Sequence, residues 1–407
     1  MRVLIASAGS HGDVAPYTGL GTRLRTAGHE VVVATHERSA ALVRRCGLDF
    51  LPLPLDQGAS AGPGTRRPPA KAGLSVTEQI RVVRDLGPVM GEALADACAS
   101  GADLLLFSSG LAPLALVAAE GTGLPSSGVY LQPLAPTREF PPVISGFPSL
   151  GPQGNLTAGH CAQSLLVRLY APAVRHLRRR LHVTAHAVRR RRAASPVYHG
   201  FSPRVVPRPS DWRPGMDVVG YWWPAEDPDW TPDPGLADFL RSGPPPVYVG
   251  FGSMHLGDAE DLGRLVARAL RLAGVRGVLQ TGQAGLSLHG DDLLTIGQVP
   301  HAQLFPQVAA VIHHAGAGTT AAGLRAGVPA VPVPVMLDQP FWASRLRALG
   351  VSPGVLPVRR LSAERLAEAV RHAVRDPGYR RRAQRLSGLI AAEDGAGRVL
   401  AAIERGE

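Results

Sequence analysis

The sequence predicts an α/β protein built from two successive parallel-sheet units that face a central cleft. Short apolar runs with the length and branching of buried strands alternate with helical stretches in both halves of the chain. Such tight alternation implies βαβ units and a parallel sheet. The 407 residues suffice for two or three domains of common size. A Pro- and Trp-rich acidic stretch over 208–246 reads as a linker, so the units are assigned to 1–207 and 247–407.

In the first unit the pattern predicts a strand at 2–6, a polar glycine turn at 7–16, and a helix at 17–27 stopped by Gly28. A strand at 30–35, a helix at 38–46 and a strand at 49–53 follow. Residues 57–73, rich in Pro, Gly and Arg, are expected to form a mobile binding loop. A helix at 77–99 is expected to break near Gly87 and Pro88. Then come a strand at 103–108, a helix at 113–120, a strand at 125–131, a Pro/Gly loop at 132–155 and a helical block at 158–192. In the second unit strands are expected at 247–250, 277–281 and 293–297, with a helix at 259–273. Helices at 362–375, 379–391 and 397–405 end the chain.

The most informative stretch runs from Val311 to Gly350. A strand at 308–312 leads into His313, His314 and a small-residue turn at 315–318, and Thr319 and Thr320 are expected to cap a helix at 321–326. A bare turn before a helix N-terminus is an anion site, because backbone N–H groups approach an oxyanion closely and the dipole favours it. His314 adds a donor on a ring able to carry charge. A strand at 330–335 ends at Asp338 and Gln339, at the sheet edge where ligands sit in open α/β folds. These residues suggest a diphosphate on the turn and a polyhydroxyl group on Asp338 and Gln339. A core αβ unit with two capping threonines would explain neither the paired histidines nor Asp338 and Gln339.

The whole-chain totals exclude several classes. With 45% hydrophobic and 18% charged residues the chain reads as globular, and no uncharged apolar run reaches membrane-spanning length. The N-terminus lacks a signal-peptide core, so a cytoplasmic location is expected. Cys46, Cys98 and Cys161 have no metal spacing. The formal charge of +11 is concentrated in a tract from Arg175 to Arg192. Aromatic residues barely interleave with it, which argues against nucleic acid; it reads as a solvated helix face or a patch for anionic lipid or an acidic partner.

The pairing of H-H-x-G-A-G-T-T at 313–320 with D-Q-P-F-W at 338–342 resembles the donor signature of GT-B glycosyltransferases, those of bacterial natural products and sterols above all. The resemblance implies two Rossmann-like domains, with the last helix crossing back onto the first. It also implies a nucleoside-diphosphate sugar as co-substrate and no further cofactor. The donor site would comprise His314, Gly316, Ala317, Gly318, Thr319, Asp338 and Gln339. Ser253, ending V-Y-V-G-F-G-S, would donate to the diphosphate or cap the following helix. Gln298 and Val299 lie in the segment that holds the nucleobase. Relatives that stack the base carry Trp where Gln298 stands, and many carry Glu where Ala322 stands, so UDP and dTDP both remain open. Trp342 would pack on the sugar or fill the core.

The turn at Gly9 to Pro16 resembles the acceptor-side loop, in which His11 or Asp13 would deprotonate the acceptor hydroxyl. Where His-type relatives place an orienting Asp, this chain has Phe107, Ser108 and Ser109, which favours Asp13. With no Asp-x-Asp motif near the glycine turn, no metal is expected; the helix dipole, His314, Ser253 and Thr319 would stabilise the leaving group. The expected reaction is an inverting, single displacement onto a small hydrophobic acceptor. Alternatives are a lipid or sterol glycosyltransferase using the basic tract at a membrane, a GT-B epimerase, a non-catalytic helper, and an oxidoreductase, for which G-x-G-x-x-G is missing.

Overall fold

The computed structural model describes residues 1–54, 76–226, 230–252, 254, 258–282, 285 and 290–406, without side chains for 76–84. The binding loop expected at 57–73 and the donor candidate Ser253 lie outside the described residues.

The first half contributes β1 (Arg2–Ala6), α1 (His11–Thr26), β2 (Glu30–Thr35), α2 (Ala40–Arg45), β3 (Asp49–Pro52), α3 (Val76–Ala99), β4 (Leu104–Phe107), α4 (Ala112–Thr122), β5 (Ser126–Tyr130), α5 (Gly151–Arg180), α6 (Ala185–Ala194), β6 (Val197–His199) and β7 (Met216–Val218). The second half contributes α7 (Pro234–Arg241), β8 (Val247–Gly250), α8 (Ala259–Ala273), β9 (Gly277–Gln280), β10 (Leu293–Ile296), α9 (His301–Leu304), β11 (Ala310–His313), α10 (Ala317–Arg325), β12 (Ala330–Pro332), α11 (Gln339–Ala348), α12 (Ala363–Arg375), α13 (Pro377–Ala391) and α14 (Gly395–Glu404).

Two sheets result, ordered β3-β2-β1-β4-β5-β6-β7 and β10-β9-β8-β11-β12. All their strand pairs are parallel. Both orders reverse direction once, between β1 and β4 and between β8 and β11. At such switch points the loops leaving neighbouring strands diverge and open a crevice at the carboxyl edge. Strand alternation divides the first core. Leu4, Ala6, Leu105 and Phe107 face α3, α4 and α5. Val3, Ile5, Leu104 and Leu106 face α1 and α14.

Residues 208–246 carry regular secondary structure. Met216–Val218 is the edge strand of the first sheet, and 234–241 is helical. Trp212, Tyr221 and Trp222 of this segment are core: Trp222 is 2% exposed and packs 5.9 Å from Tyr17. Proline and tryptophan dominate the composition of the segment, but burial of the large indoles decides its structure. The helix at 76–99 continues through Pro88, and Gly87 allows α5 to approach, since a Cβ there would lie 2.8 Å from Ala173 Cβ. The helical block is two helices, α5 and α6, and α5 begins in what reads as a loop. Within the basic tract, Arg180 pairs with Asp96 and half-buried Arg191 pairs with Glu120 at 2.6 Å, while Arg175, Arg179, Arg189, Arg190 and Arg192 remain exposed.

The halves share an apolar core. Phe201, Trp212 and Tyr221 pack with Leu324, Trp342, Leu346 and Ile390. The chain then returns to the first half, where Val399, Leu400 and Ile403 of α14 join the core beneath α1. The crossing is fixed by a 2.7 Å bond from the Ser202 hydroxyl to Glu393 and by contact between Gly220 and Gly395 too close for a Cβ.

Candidate active site

Helices α1 and α10 touch. Across the two halves Asp13 lies near enough to Asp338, and His11 to His301, for the charge of one to act on the other.

On the first side, α1 starts at His11, four residues into the expected turn. Ser10 ends the extended backbone, and Asp13 sits in the first turn, where a carboxylate suits the helix dipole. Ser10 N and Ser10 Oγ both donate to Asp13 Oδ2 at 2.8 Å. Gly9, at φ +140°, lies under the carboxylate, where a Cβ would come within 2.5 Å of Oδ2. Asp13 therefore acts as a helix cap through one oxygen and turns the other toward Gln132 Nε2, 3.5 Å away. His11 stands exposed at the crevice, with no hydrogen-bond partner among the described residues. Partial desolvation of the ring, and then the charge of Arg45, lower its pKa. Among the described residues no carboxylate orients it and Ser108 Oγ is buried without a hydrogen-bond partner, while Ser109 donates to Gln132 instead.

On the second side, α10 begins at Ala317, with Gly316 as its N-cap. Thr319 and Thr320 thus lie inside the first turn and do not cap it; Thr320 Oγ1 is buried without a hydrogen-bond partner among the described residues. Ala, Gly and Ala carry no side chain that competes for the backbone, so the helix starts as soon as the strand's turn ends. Because no side chain caps it, the amides of Ala317, Gly318 and Thr319 stay available to an anion. Ala315 takes the left-handed region at φ 63°, and His313 Nδ1 accepts its N–H at 3.1 Å. This strained residue aims the turn.

His314 lies between Gly252 and Gly316, where added Cβ atoms would come within 2.9 and 2.5 Å of its ring. Burial lowers its pKa to about 4, and the Gly250 carbonyl tempers that shift; Nδ1 has no hydrogen-bond partner among the described residues. The expected charged donor is thus a neutral imidazole at pH 7, because desolvation penalises the cation. Gly316→Ala is expected to displace the ring and weaken nucleoside-diphosphate binding by roughly ten- to a hundredfold, the scale of one hydrogen bond to a charged group. Calorimetric titration with UDP and dTDP checks it.

The Gln339 amide is already engaged within the protein. It is 4% exposed; its Oε1 accepts from Val335 N (2.8 Å) and Met336 N (3.1 Å), and its Nε2 reaches Met254 Sδ at 3.2 Å. The cause is the short β12, which ends at Pro332 and leaves those amides free, so Gln339 fastens the turn presenting Asp338. Asp338 caps α11, and its Oδ2 accepts from Trp342 Nε1 at 2.9 Å. Burial raises its pKa and the Trp342 bond opposes this, while the negative charge of Asp13, facing it across the crevice, raises it further. Trp342 is 1% exposed, so it is core. In the base segment Gln298 is exposed, while Val299 packs half-buried beside Ile296 and Leu304. Sequence reasoning missed Gln132. Its only signal is its position just past β5, at the carboxyl edge.

Residues 3–133 match the glycosyltransferase family 28 N-terminal domain, and residues 280–404 match the C-terminal domain of proteins like erythromycin biosynthesis protein CIII. O-Mycaminosyltylonolide 6-deoxyallosyltransferase of Streptomyces fradiae is 37% identical over 431 residues, covering 99% of this chain and 97% of the relative. A sterol 3-beta-glucosyltransferase of Arabidopsis thaliana is 31% identical over 97% of this chain, which spans 64% of that relative's length. Among solved structures, the kitacinnamycin glycosyltransferase superposes with a TM-score of 0.73 at 21% identity, covering 99% of this chain and 98% of the other. SsfS6 of Streptomyces sp. SF2575, crystallised with thymidine diphosphate, superposes at 0.63 with 23% identity over 100% and 99% of the two chains. With both domains, the uncapped α10 turn and the facing first turn of α1 in place, the chain belongs to the GT-B glycosyltransferases and is a nucleotide-sugar-dependent glycosyltransferase.

Proposed function

We propose that the protein transfers a sugar from a UDP- or dTDP-sugar to a hydroxyl of a small hydrophobic natural product, inverting the anomeric centre without a metal and acting in the cytoplasm. The observation that supports this reading is the pairing of an uncapped helix start at α10 with Asp13 and Asp338 close enough across the halves for their charges to interact. Asp13 takes the acceptor proton on Oδ1 as the acceptor oxygen bonds to the anomeric carbon. The bond from that carbon to the diphosphate breaks in line, and the nucleoside diphosphate leaves with its electron pair toward Ala317–Thr319. Backbone amides, the α10 dipole and the neutral His314 N–H disperse its charge. Asp338 has one oxygen left for a sugar hydroxyl. Val299 would hold the base through its backbone. His11, neutral at pH 7, is the alternative base.

Exposed Ile144, Phe147 and Leu150, on the loop after β5 and at its junction with α5, suit an apolar acceptor. Incubation with UDP- and dTDP-sugars and a panel of hydrophobic alcohols should release nucleotide only when an acceptor is present; failure to bind any sugar nucleotide would refute the reading. Turnover should persist in excess EDTA, and a loss restored by Mg²⁺ would refute metal independence.

A second reading is supported by the exposed arginines of α5 and α6 and by relatives named sterol 3-beta-glucosyltransferases. It is a lipid or sterol acceptor met at a membrane surface. Sedimentation with anionic vesicles at low salt separates the two.

A further inference from the structure

We infer that Gln132, backed by Ser109, is a positioning residue that orients Asp13 for proton transfer. The inference rests on the reading of Asp13 as the base.

β4 and β5 are neighbours in the first sheet, so the residues just past their carboxyl ends emerge side by side at the crevice. Ser109 Oγ donates to Gln132 Oε1 at 3.4 Å, and Gln132 Nε2 donates to Asp13 Oδ1 at 3.5 Å. Both bonds are long, but their order fixes the carboxamide. A serine hydroxyl on the carbonyl end leaves only the NH₂ end to face a carboxylate, and the flipped amide would set oxygen against oxygen. The turn Leu134 N to Gln132 O, at 3.0 Å, holds the backbone that carries the side chain.

The arrangement uses the two carboxylate oxygens differently. Ser10 occupies Oδ2 with two bonds, which fixes where the carboxylate sits. Gln132 approaches Oδ1 with one long bond, which restricts its rotation and leaves a lone pair free for the acceptor hydroxyl. Ser109 stands in the region where His-type relatives carry an orienting acid. A hydroxyl–amide pair directed at Asp13 thus takes over the orienting role that a carboxylate directed at His11 would have.

The test is a mutant cycle read by steady-state kinetics across pH. Gln132→Met keeps the length and removes the donor. It should lower kcat roughly ten- to a hundredfold, hold the acceptor KM within about twofold and move the acid limb of kcat/KM up by roughly one pH unit. Gln132→Glu should move that limb further, because a second carboxylate opposes ionisation of the first. Ser109→Ala should act in the same direction, more weakly, and have no effect in the Gln132→Met background. An unmoved acid limb, an additive Ser109→Ala effect, or a change confined to the acceptor KM would overturn the inference; the last would make Gln132 an acceptor contact. Asp13→Asn separates the levels. If it stays active, the base reading fails; if it is inactive while Gln132→Met keeps the parent pH profile, only the positioning role fails.

Discussion

Asp13→Asn is expected to lower kcat by about a hundred- to ten-thousandfold, the range supplied by a positioned general base. Nucleoside-diphosphate affinity should stay within about twofold, because the donor amides belong to α10 and not to α1. Asparagine keeps the shape of the side chain, and its carbonyl can still accept from Ser10 N and Oγ, so the start of α1 survives. Melting temperature and nucleotide Kd, measured beside product formation, separate lost chemistry from lost structure. His11→Ala should cost less, since the imidazole has no orienting partner among the described residues. A reversed order, with His11→Ala inactive and Asp13→Asn near parent turnover, would move the base to His11.

The fold is expected to lose stability steeply as pH falls from about 6.5 toward 4, where buried histidines resist protonation. Burial holds His199 and His313 at about 3 and His301 and His314 at about 4. Neighbouring charges add to this: Arg208 at His199, His11 and His314 at His301, and His314 and His301 at His313. The unfolded chain takes up protons at these sites as pH drops through 6.5, and the folded chain does not until pH 3–4. The stabilisation is therefore complete above 6.5 and disappears downward. Each site contributes up to ~1.4 kcal/mol per pH unit within that window. Asp338 and Glu393, both raised by burial, act in the opposite sense, but two carboxyls do not offset four imidazoles. Melting temperatures at pH 8, 6.5, 5.5 and 4.5 would show this as a flat region followed by a fall. In His199→Phe, whose ring would keep the stack now 4.4 Å from Trp212, the fall should be shallower. A melting temperature constant down to pH 5 would contradict the account.

The parallel-sheet architecture was legible because buried strands such as Val247–Gly250 and Ala310–His313 are short apolar runs that lead into small-residue turns. The anion site was legible because Gly316 to Thr319 offer the backbone little side-chain competition. Helix starts were read late at both His11 and Ala317, since a first turn without apolar periodicity resembles a loop until its backbone is seen. The strand and helix within 208–246 were not legible because Pro and Trp content marks surface loops as often as it marks packed corners such as Tyr221 and Trp222. The inward turn of Gln339 depends on which amides the short β12 leaves unpaired, and Gln132 meets Asp13 only because β5 lies two strands from β1. Such juxtapositions are tertiary and leave no local pattern.

The most direct test is a crystal structure of the protein soaked with UDP or dTDP. The predicted result is a β-phosphate within hydrogen-bond reach of the Ala317, Gly318 and Thr319 amides and of His314, with Asp13 Oδ1 facing the space the sugar would fill. A diphosphate bound elsewhere, or one that leaves the α10 amides to water, would contradict it.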